Sequence, residues 1–402
     1  MNIFQICSKS PWPPKEGGPI AMNNITQGLI KAGHKVTVFA ISTPKYKVQS
    51  HNIPDEYKKL TNFDFTYINT NINVLKAFLN LFSKKSYNIE RFISKNTENK
   101  ISEILSKNTF DIIQLEGLFV TPYINTIRKY SNAKIIIRAH NIEHLIWQRL
   151  AESCKNPVKR IYLGILAKKL RNYELDTMNK VDAIAAITPV DTNSFLKAGC
   201  KVPVISIPIG IDSNKISANN TKREFPGFFH LGSMDWLPNQ EGIKWFLENI
   251  WKTFHKNFPQ YKFYLAGRNM PVWLNEQAYQ GIRVEGEIEN AKEFMQSRTV
   301  MIVPLLSGSG MRVKIIEGMA CGNAIITSSI GAEGINCSNG ENILIADSPE
   351  EWITCMTKLS ESRILTDKIC ENAIELVKKE YDNDTITEKL ILFYNRIILS
   401  LR

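Results

Sequence analysis

Short apolar runs recur along the chain, most of them followed by a small-residue loop and then a segment with apolar positions at helical spacing. The first run, residues 2–7, reads as a strand, and its loop ends in Gly17-Gly18. Pro19 suits the first position of a helix, where its missing N–H costs nothing. Ile25, Leu29 and Ala32 then repeat at helical spacing, and Gly33 supplies the stop. Residues 35–40 (KVTVFA) form the next strand, so the chain opens with a β–α–β unit and a parallel sheet is expected.

The rhythm continues with strands predicted at 111–115, 134–138, 183–187 and 203–208, and helices at 122–130 and from Pro189. The polar stretch 209–224 reads as a linker. A second series places strands at 228–231, 262–266, 282–284, 300–303 and 324–327, with helices at 239–255, 290–297 and 311–320. Ile386, Leu390, Phe393, Ile397 and Leu401 line one stripe of a terminal helix over 385–401. The pattern predicts an α/β protein of two doubly wound parallel-sheet domains, residues 1–212 and 213–384, facing a central cleft. Ligands of such sheets bind beyond the carboxyl ends of the strands, so the chemistry is sought in the loops that follow them.

Composition removes several classes. With 44% hydrophobic and 22% charged residues among 402, and Gly and Pro scattered, disorder, collagen and coiled coil are excluded. Seven cysteines without a C-x-x-C pair argue against a zinc ribbon or a disulfide scaffold and for a reducing, cytoplasmic setting. The N-terminus lacks the basic start of a signal peptide, and no uncharged apolar run reaches the ~18–20 residues of a membrane span. Charge is uneven: residues 1–212 carry 29 Lys+Arg against 16 Asp+Glu, residues 213–402 carry 21 against 23. A basic first half is expected to meet something acidic. Two of its stretches, 74–95 and 155–171, mix lysines and arginines with Leu, Ile and Phe, as an amphipathic helix on an anionic membrane surface would. The competing reading is a solvated face over a core. Nucleic acid is not expected, because no binding motif accompanies the charge.

The strongest chemical signal is residues 304–322, P-L-L-S-G-S-G-M-R-V-K-I-I-E-G-M-A-C-G. A buried strand feeds a small-residue loop and a helix, whose unpaired N–H groups and dipole favour an anion. Gly310, Lys314 and Glu317, at i, i+4 and i+7, are predicted to share a helix face, with Val313, Ile316 and Ala320 packing beneath. That presents a cation for phosphate and a deeper carboxylate for two hydroxyls, as a nucleoside diphosphate ribose requires. An ordinary Lys–Glu pair on a solvated helix is the alternative.

This segment, with Gly331-Ala332-Glu333-Gly334-Ile335, resembles the donor-binding region of family four glycosyltransferases, in particular a subgroup reading G-x-G-x-R-x-K-x-x-E-x-M-A. The resemblance covers nearly the whole chain. It includes Gly17-Gly18, the stretch Arg138-Ala139-His140-Asn141-Ile142-Glu143, the stretch 231–239 (LGSMDWLPN) and Ala266-Gly267-Arg268. It implies a GT-B fold of two Rossmann-like domains, an acceptor-side first domain onto which the terminal helix 385–402 packs back, and a donor-binding second domain. It implies a retaining sugar transfer from a nucleotide-sugar to a saccharide or lipid-linked acceptor, without metal or other cofactor, in cell-surface glycan assembly; the two basic, apolar stretches add the expectation of a peripheral place on the membrane's cytoplasmic face.

Residue by residue, the resemblance implies catalytic roles for His140, Lys314 and Glu317, with Glu317 on the donor ribose. Gly17, Gly18, Gly308, Ser309, Gly310, Arg312 and Lys314 would hold the diphosphate. Gly267, Arg268 and Glu287 would surround the base, and His140, Asn141 and Ser309 the donor sugar. Two departures stand out. Ser309 replaces the first of two glutamates that many members carry eight positions apart, and residues 232–236 (GSMDW) lack the Arg and Lys usual after that strand. Arg312 and Lys314 are expected to supply the missing charge.

Two metal-type patterns also occur. Asp382-Asn383-Asp384 matches D-x-D, but Asp384 suits the N-cap of the terminal helix. His140-Asn141-Ile142-Glu143-His144 matches H-x-x-E-H, which needs both histidines on one helical turn, whereas His140 ends a strand. A nucleotide-sugar epimerase, a phosphorylase and a non-catalytic nucleotide-sugar binding protein are the competing functions.

Overall fold

The computed structural model describes residues 1–14, 17–212, 223–276, 279–308 and 310–400. The chain divides into two compact units, Met1–Gly210 together with the chain from Ile386 on, and Ile211–Thr385.

The first unit holds seven parallel strands: β1 Asn2–Cys7, β2 Lys35–Ser42, β3 Asp64–Tyr67, β4 Ile112–Glu116, β5 Lys134–Ala139, β6 Ala183–Ala186 and β7 Val204–Ser206. Their order is β3-β2-β1-β4-β5-β6-β7, so the order reverses between β1 and β4. The second unit holds β8 Glu224–Leu231, β9 Phe263–Ala266, β10 Ile282–Gly286, β11 Arg298–Val303, β12 Ala324–Thr327 and β13 Leu344–Ile345, in the order β10-β9-β8-β11-β12-β13, again parallel. Here the reversal falls between β8 and β11. The central strands are apolar on both faces because helices cover both, as parallel sheets require.

One face of the first sheet packs Phe4, Ile6, Ile113, Leu115 and Ile137 against helices 95–107 and 124–130. The other packs Ile3, Val38 and Ile136 against helix Gly17–Lys31 and against Ile386, Leu390, Phe393, Tyr394 and Ile397 of helix Asn383–Leu399. The terminal helix is thus core material of the first unit. Leu390 is fully buried and Leu392 is 63% exposed. Leu390→Ala is expected to cost roughly 2–5 kcal/mol, and Leu392→Ala to stay within about 0.5 kcal/mol, read as urea midpoints. The second unit's core is aromatic, with Phe228, Phe246, Trp251, Phe254, Phe263 and Trp352 in one cluster.

Several boundaries differ from the sequence reading. Gly17 and Gly18 lie in the first turn of helix Gly17–Lys31, and Ala32 is exposed beyond its end; Met22, not Ala32, completes the buried stripe with Ile25 and Leu29. Residues 122–130 split into a 3-10 turn, Leu118–Tyr123, and a helix, Ile124–Tyr130. The predicted linker overlaps the start of β8, and its residues 213–222 lie outside the described residues. Residues 74–95 are two short helices, Val74–Asn80 and Tyr87–Glu90, whereas 157–171 sit on one helix, Pro157–Met178.

Candidate active site

In the second unit, three strand ends meet at the reversal point. β11 runs through Pro304 into a turn where Gly308 and Gly310 both have positive φ, 126° and 79°, a conformation that a Cβ disfavours. Helix Val313–Ala320 follows. Gly310 therefore precedes the helix rather than sharing its face, and the buried stripe is Ile315, Ile316, Met319 and Ala320, with Val313 only half-buried. Ser309 lies outside the described residues.

Arg312 caps this helix start. Its guanidinium donates to the carbonyl of Gly310 and lies 5.8 Å from the Trp236 ring centroid, while the Trp236 indole also backs Gly308. Arg312 thus braces the turn from within; it is buried.

Lys314, in the first helical turn, donates from Nζ to Asn239 Oδ1 at 2.7 Å, and Asn239 Nδ2 donates to Ser233 O at 2.7 Å. Gly232, directly after β8, is where these groups converge: a Cβ there would lie 2.9 Å from each of Lys314 Nζ, Asn239 Nδ2 and His230 Nε2. His230 is fully buried and donates Nδ1–H to Ile302 O at 2.7 Å, leaving Nε2 without a hydrogen-bond partner among the described residues. Burial and the Lys314 charge hold this imidazole well below the ordinary histidine range despite the bond to Ile302, so it is a neutral acceptor. Burial, and then the neighbouring Arg312 charge, depress the Lys314 ammonium to about 7. One turn deeper, burial alone pushes the Glu317 carboxyl up to about 7, and no described residue bonds to it. A carboxyl desolvated without a partner has spare acceptor capacity for ligand hydroxyls.

The Gly267 turn lies at the carboxyl end of β9, beside β8. Its φ is 147° and its N–H donates to Gly286 O at 2.8 Å; a Cβ would fall 1.8 Å from Gly232 O, so only glycine fits. Arg268 is half-buried beside it, its carbonyl accepting from Met234 N, and Glu287 is exposed after β10. Gly267 and Arg268 follow the carboxyl end of β9, and Gly308, Gly310, Arg312, Lys314 and Glu317 follow that of β11, two strands of one parallel sheet.

In the first unit, His140 follows β5 and bonds through Nε2 to Glu116 Oε2 at 2.6 Å. Glu116, at the end of β4, is fully buried; its other oxygen accepts from Gln5 Nε2 at 2.7 Å and from Gln114 Nε2. Arg138 Nε lies 4.0 Å away. Burial pushes the Glu116 carboxyl up, but the His140 hydrogen bond, the His140 and Arg138 charges and the Gln5 bond outweigh it, so it stays below the ordinary range. The network runs on to Thr26, which donates to Gln5 Oε1 at 2.6 Å, and to Tyr394 of the terminal helix, bonded to Gln114. Nε2 of His140 is thus held by Glu116, and Nδ1 has no hydrogen-bond partner among the described residues.

His144 begins the next helix, Glu143–Ser153, and bonds through Nδ1 to Glu174 at 2.6 Å; Glu174 also accepts from the N–H groups of Glu143 and His144. The two histidines of the zinc-like pattern therefore sit on different elements, each held by its own carboxylate. Among the described residues no group of three or more His, Cys, Asp or Glu could hold a metal. Burial, then Glu174, raise Glu143 to about 7 against the opposing effects of Asn141 and Lys9. In the D-x-D match, Asp382 rather than Asp384 caps the terminal helix, accepting from Asp384 N at 2.9 Å. Gly17 and Gly18 open helix Gly17–Lys31 beside Lys9, whose Nζ would be 2.8 Å from a Cβ at Gly18.

Glu116, Glu174, His230, Asn239 and Lys9 were not singled out in the sequence. Glu116 carried a signal, an acidic residue ending the buried run Ile112–Glu116; the others are placed by side-chain packing.

Residues 226–362 match the family model described as Glycosyl transferases group 1. Across 96% of this chain and 97% of its own length, an "uncharacterized 44.6 kDa protein in cps region" of Klebsiella pneumoniae is 19% identical. Among solved structures, Anabaena Alr3699/HepE in complex with UDP aligns with a TM-score of 0.66 at 12% identity, covering 98% of this chain and 100% of its own. The sucrose-phosphate synthase of Thermosynechococcus elongatus aligns at 0.71 with 15% identity and 99% of each chain. The G117R mutant of S. aureus TarM, in complex with Fondaparinux, alpha-GlcNAc-glycerol and UDP, aligns at 0.67 with 13% identity, covering 98% of this chain and 99% of its own. Two parallel sheets with flanking helices in this order are the GT-B fold. The family-model match over most of the second unit, with that fold, supports a glycosyltransferase.

Proposed function

We propose that the chain is a retaining, metal-independent glycosyltransferase of the family four type. It moves a hexosyl group from a nucleotide-sugar to a saccharide or lipid-linked saccharide, in the cytoplasm, during cell-surface polysaccharide assembly. The observation that carries the donor reading is the helix Val313–Ala320: it starts from a turn open to backbone approach, and sets a Lys314 ammonium and an unpartnered Glu317 carboxyl one turn apart. In this reading the helix N–H groups and Lys314 stabilise the charge that develops on the leaving diphosphate, as preorganised electrostatics. Glu317 accepts from the ribose hydroxyls, Gly267 and Arg268 border the base, and His140, fixed in orientation by Glu116, faces the transferred sugar. HepE and TarM binding UDP supports a nucleotide donor, and the cps-region relative supports the polysaccharide context.

Thermal-shift titration with UDP-, GDP- and ADP-linked sugars tests the reading. A donor at about 100 times its Kd adds about 2.7 kcal/mol of stability, several degrees in Tm. No shift with any donor rejects it. Incubation of the stabilising donor alone must leave the sugar unchanged; altered sugar without acceptor means epimerisation instead.

A further inference from the structure

Helix Val74–Asn80 buries little of itself. Ala77 faces inward and packs with Tyr87 and Leu166, while Val74, Leu75, Phe78 and Leu79 point out. Leu75 is 66% exposed, Phe78 57% and, just beyond the helix, Phe82 81%, with the two phenyl rings edge to face 5.7 Å apart. A run of large apolar side chains this exposed is uncommon on a surface that meets only water. The segment is not loosely held, because Lys169 of helix Pro157–Met178 donates to the carbonyls of Asn80 and Leu81 at the helix C-terminus.

The chain after Phe82 leads into a groove of about 1100 Å³. Its floor is largely apolar, with Ile89, Ile124 and Ile165, and its walls carry five lysines, Lys84, Lys85, Lys168, Lys169 and Lys180, against Glu90 and Asp176. Both carboxylates are engaged already, Glu90 by Asn80 and Lys85, Asp176 by Lys180. Lys84 and Lys168 have no acidic partner among the described residues. Val158, Ile161 and Ile165 add an exposed apolar stripe on helix Pro157–Met178 that runs into the groove at Ile165 and Lys168.

We propose that this face docks on an anionic lipid bilayer: Leu75, Phe78, Leu79 and Phe82 enter the acyl boundary, and the lysine-walled groove takes an anionic headgroup. Apolar side chains outermost and lysines immediately behind match the depth order of a bilayer interface, where cations stay at headgroup level while apolar groups sink. A second copy of the same face is disfavoured, since it would bring lysine against lysine. The proposal goes beyond the sugar-transfer reading and does not depend on it.

The test is flotation of the full chain with vesicles of phosphatidylcholine alone or equimolar with phosphatidylglycerol. Binding to the anionic vesicles is expected, weakening with added salt, and little binding to the neutral ones. Lys84→Gln with Lys168→Gln should weaken it about 25-fold, at about fivefold for each headgroup-level lysine. Phe78→Glu with Phe82→Glu should abolish vesicle binding without lowering Tm, because both rings are exposed. Equal partition to both vesicle types overturns the proposal. Retention of soluble poly-glutamate as tight as that of anionic vesicles, unaffected by the Phe78/Phe82 pair, overturns it in favour of an acidic macromolecule. Concentration-dependent dimerisation that the Phe78/Phe82 pair abolishes overturns it in favour of self-association.

Discussion

Lys314→Ala is expected to lower donor-dependent turnover, as kcat/KM, by two to three orders of magnitude, the usual loss when one preorganised donor is removed from a developing anion. The same substitution should not destabilise the ligand-free protein. Lys314 sits at about 7 instead of an ordinary lysine's 10.5 because burial and Arg312 oppose its charge. Between those values the unfolded chain binds more protons than the folded one, so this residue's contribution to stability rises with pH through that window and is least favourable below it. Lys314→Met should therefore melt at or above the wild type at pH 7 while losing activity, a separation of function from stability. Wild-type donor affinity should also fall as pH rises from 6 to 8 and the ammonium is lost. Lys314→Arg keeps its charge throughout and should flatten that profile. Donor kinetics unchanged in Lys314→Ala would remove this helix from the donor site.

Glu116→Gln is expected to be the most damaging single change in the first unit. The carboxylate accepts from His140, Gln5 and Gln114 and faces the buried Arg138 guanidinium. An amide there would turn an NH₂ group toward donors and leave Arg138 without its counter-charge. Breaking a buried charge pair from one side costs roughly 3–5 kcal/mol. Activity should fall about 10–100-fold beyond any loss of folded protein, the usual effect of removing a carboxylate that orients a histidine. Glu116 lies below the ordinary carboxylate range when folded, so its contribution is fully present at neutral pH and is lost as pH falls from that range through the lower folded-state value; Glu116→Gln should show a shallower acid limb in Tm against pH. His140→Ala should reproduce the activity loss but not the full stability loss, because it leaves the Arg138 pair intact. Equal Tm in Glu116→Gln and wild type would show that the network does not hold the unit together.

The same contrast runs through the molecule. Order and type of the strands were legible because each is a short apolar run bounded by Gly, Pro or polar residues, as at Lys35–Ser42 and Ala324–Thr327. The strands Asp64–Tyr67 and Leu344–Ile345 were not, since the first alternates too briefly to stand out from a loop and the second is only two residues long. The pairing of Lys314 with Glu317 was visible as an i, i+3 spacing, whereas Asn239, 75 residues away in sequence, reaches Lys314 only through the fold. The stretches 74–95 and 155–171 showed their mixed composition but not which side faces out; Ala77 inward and Phe78 outward is decided by what Leu166 leaves uncovered.

By itself the sequence determined the parallel α/β architecture, the glycine turn before helix Val313–Ala320 and the uneven charge, because each depends on neighbours within a few residues. Only the tertiary structure decided that Glu116 holds His140, that His230 keeps an open nitrogen beside Lys314, and that Tyr394 from the chain's last helix joins the Glu116 network. Those arrangements rest on burial and on hydrogen bonds across 24 to 280 positions, and no local pattern encodes such distances.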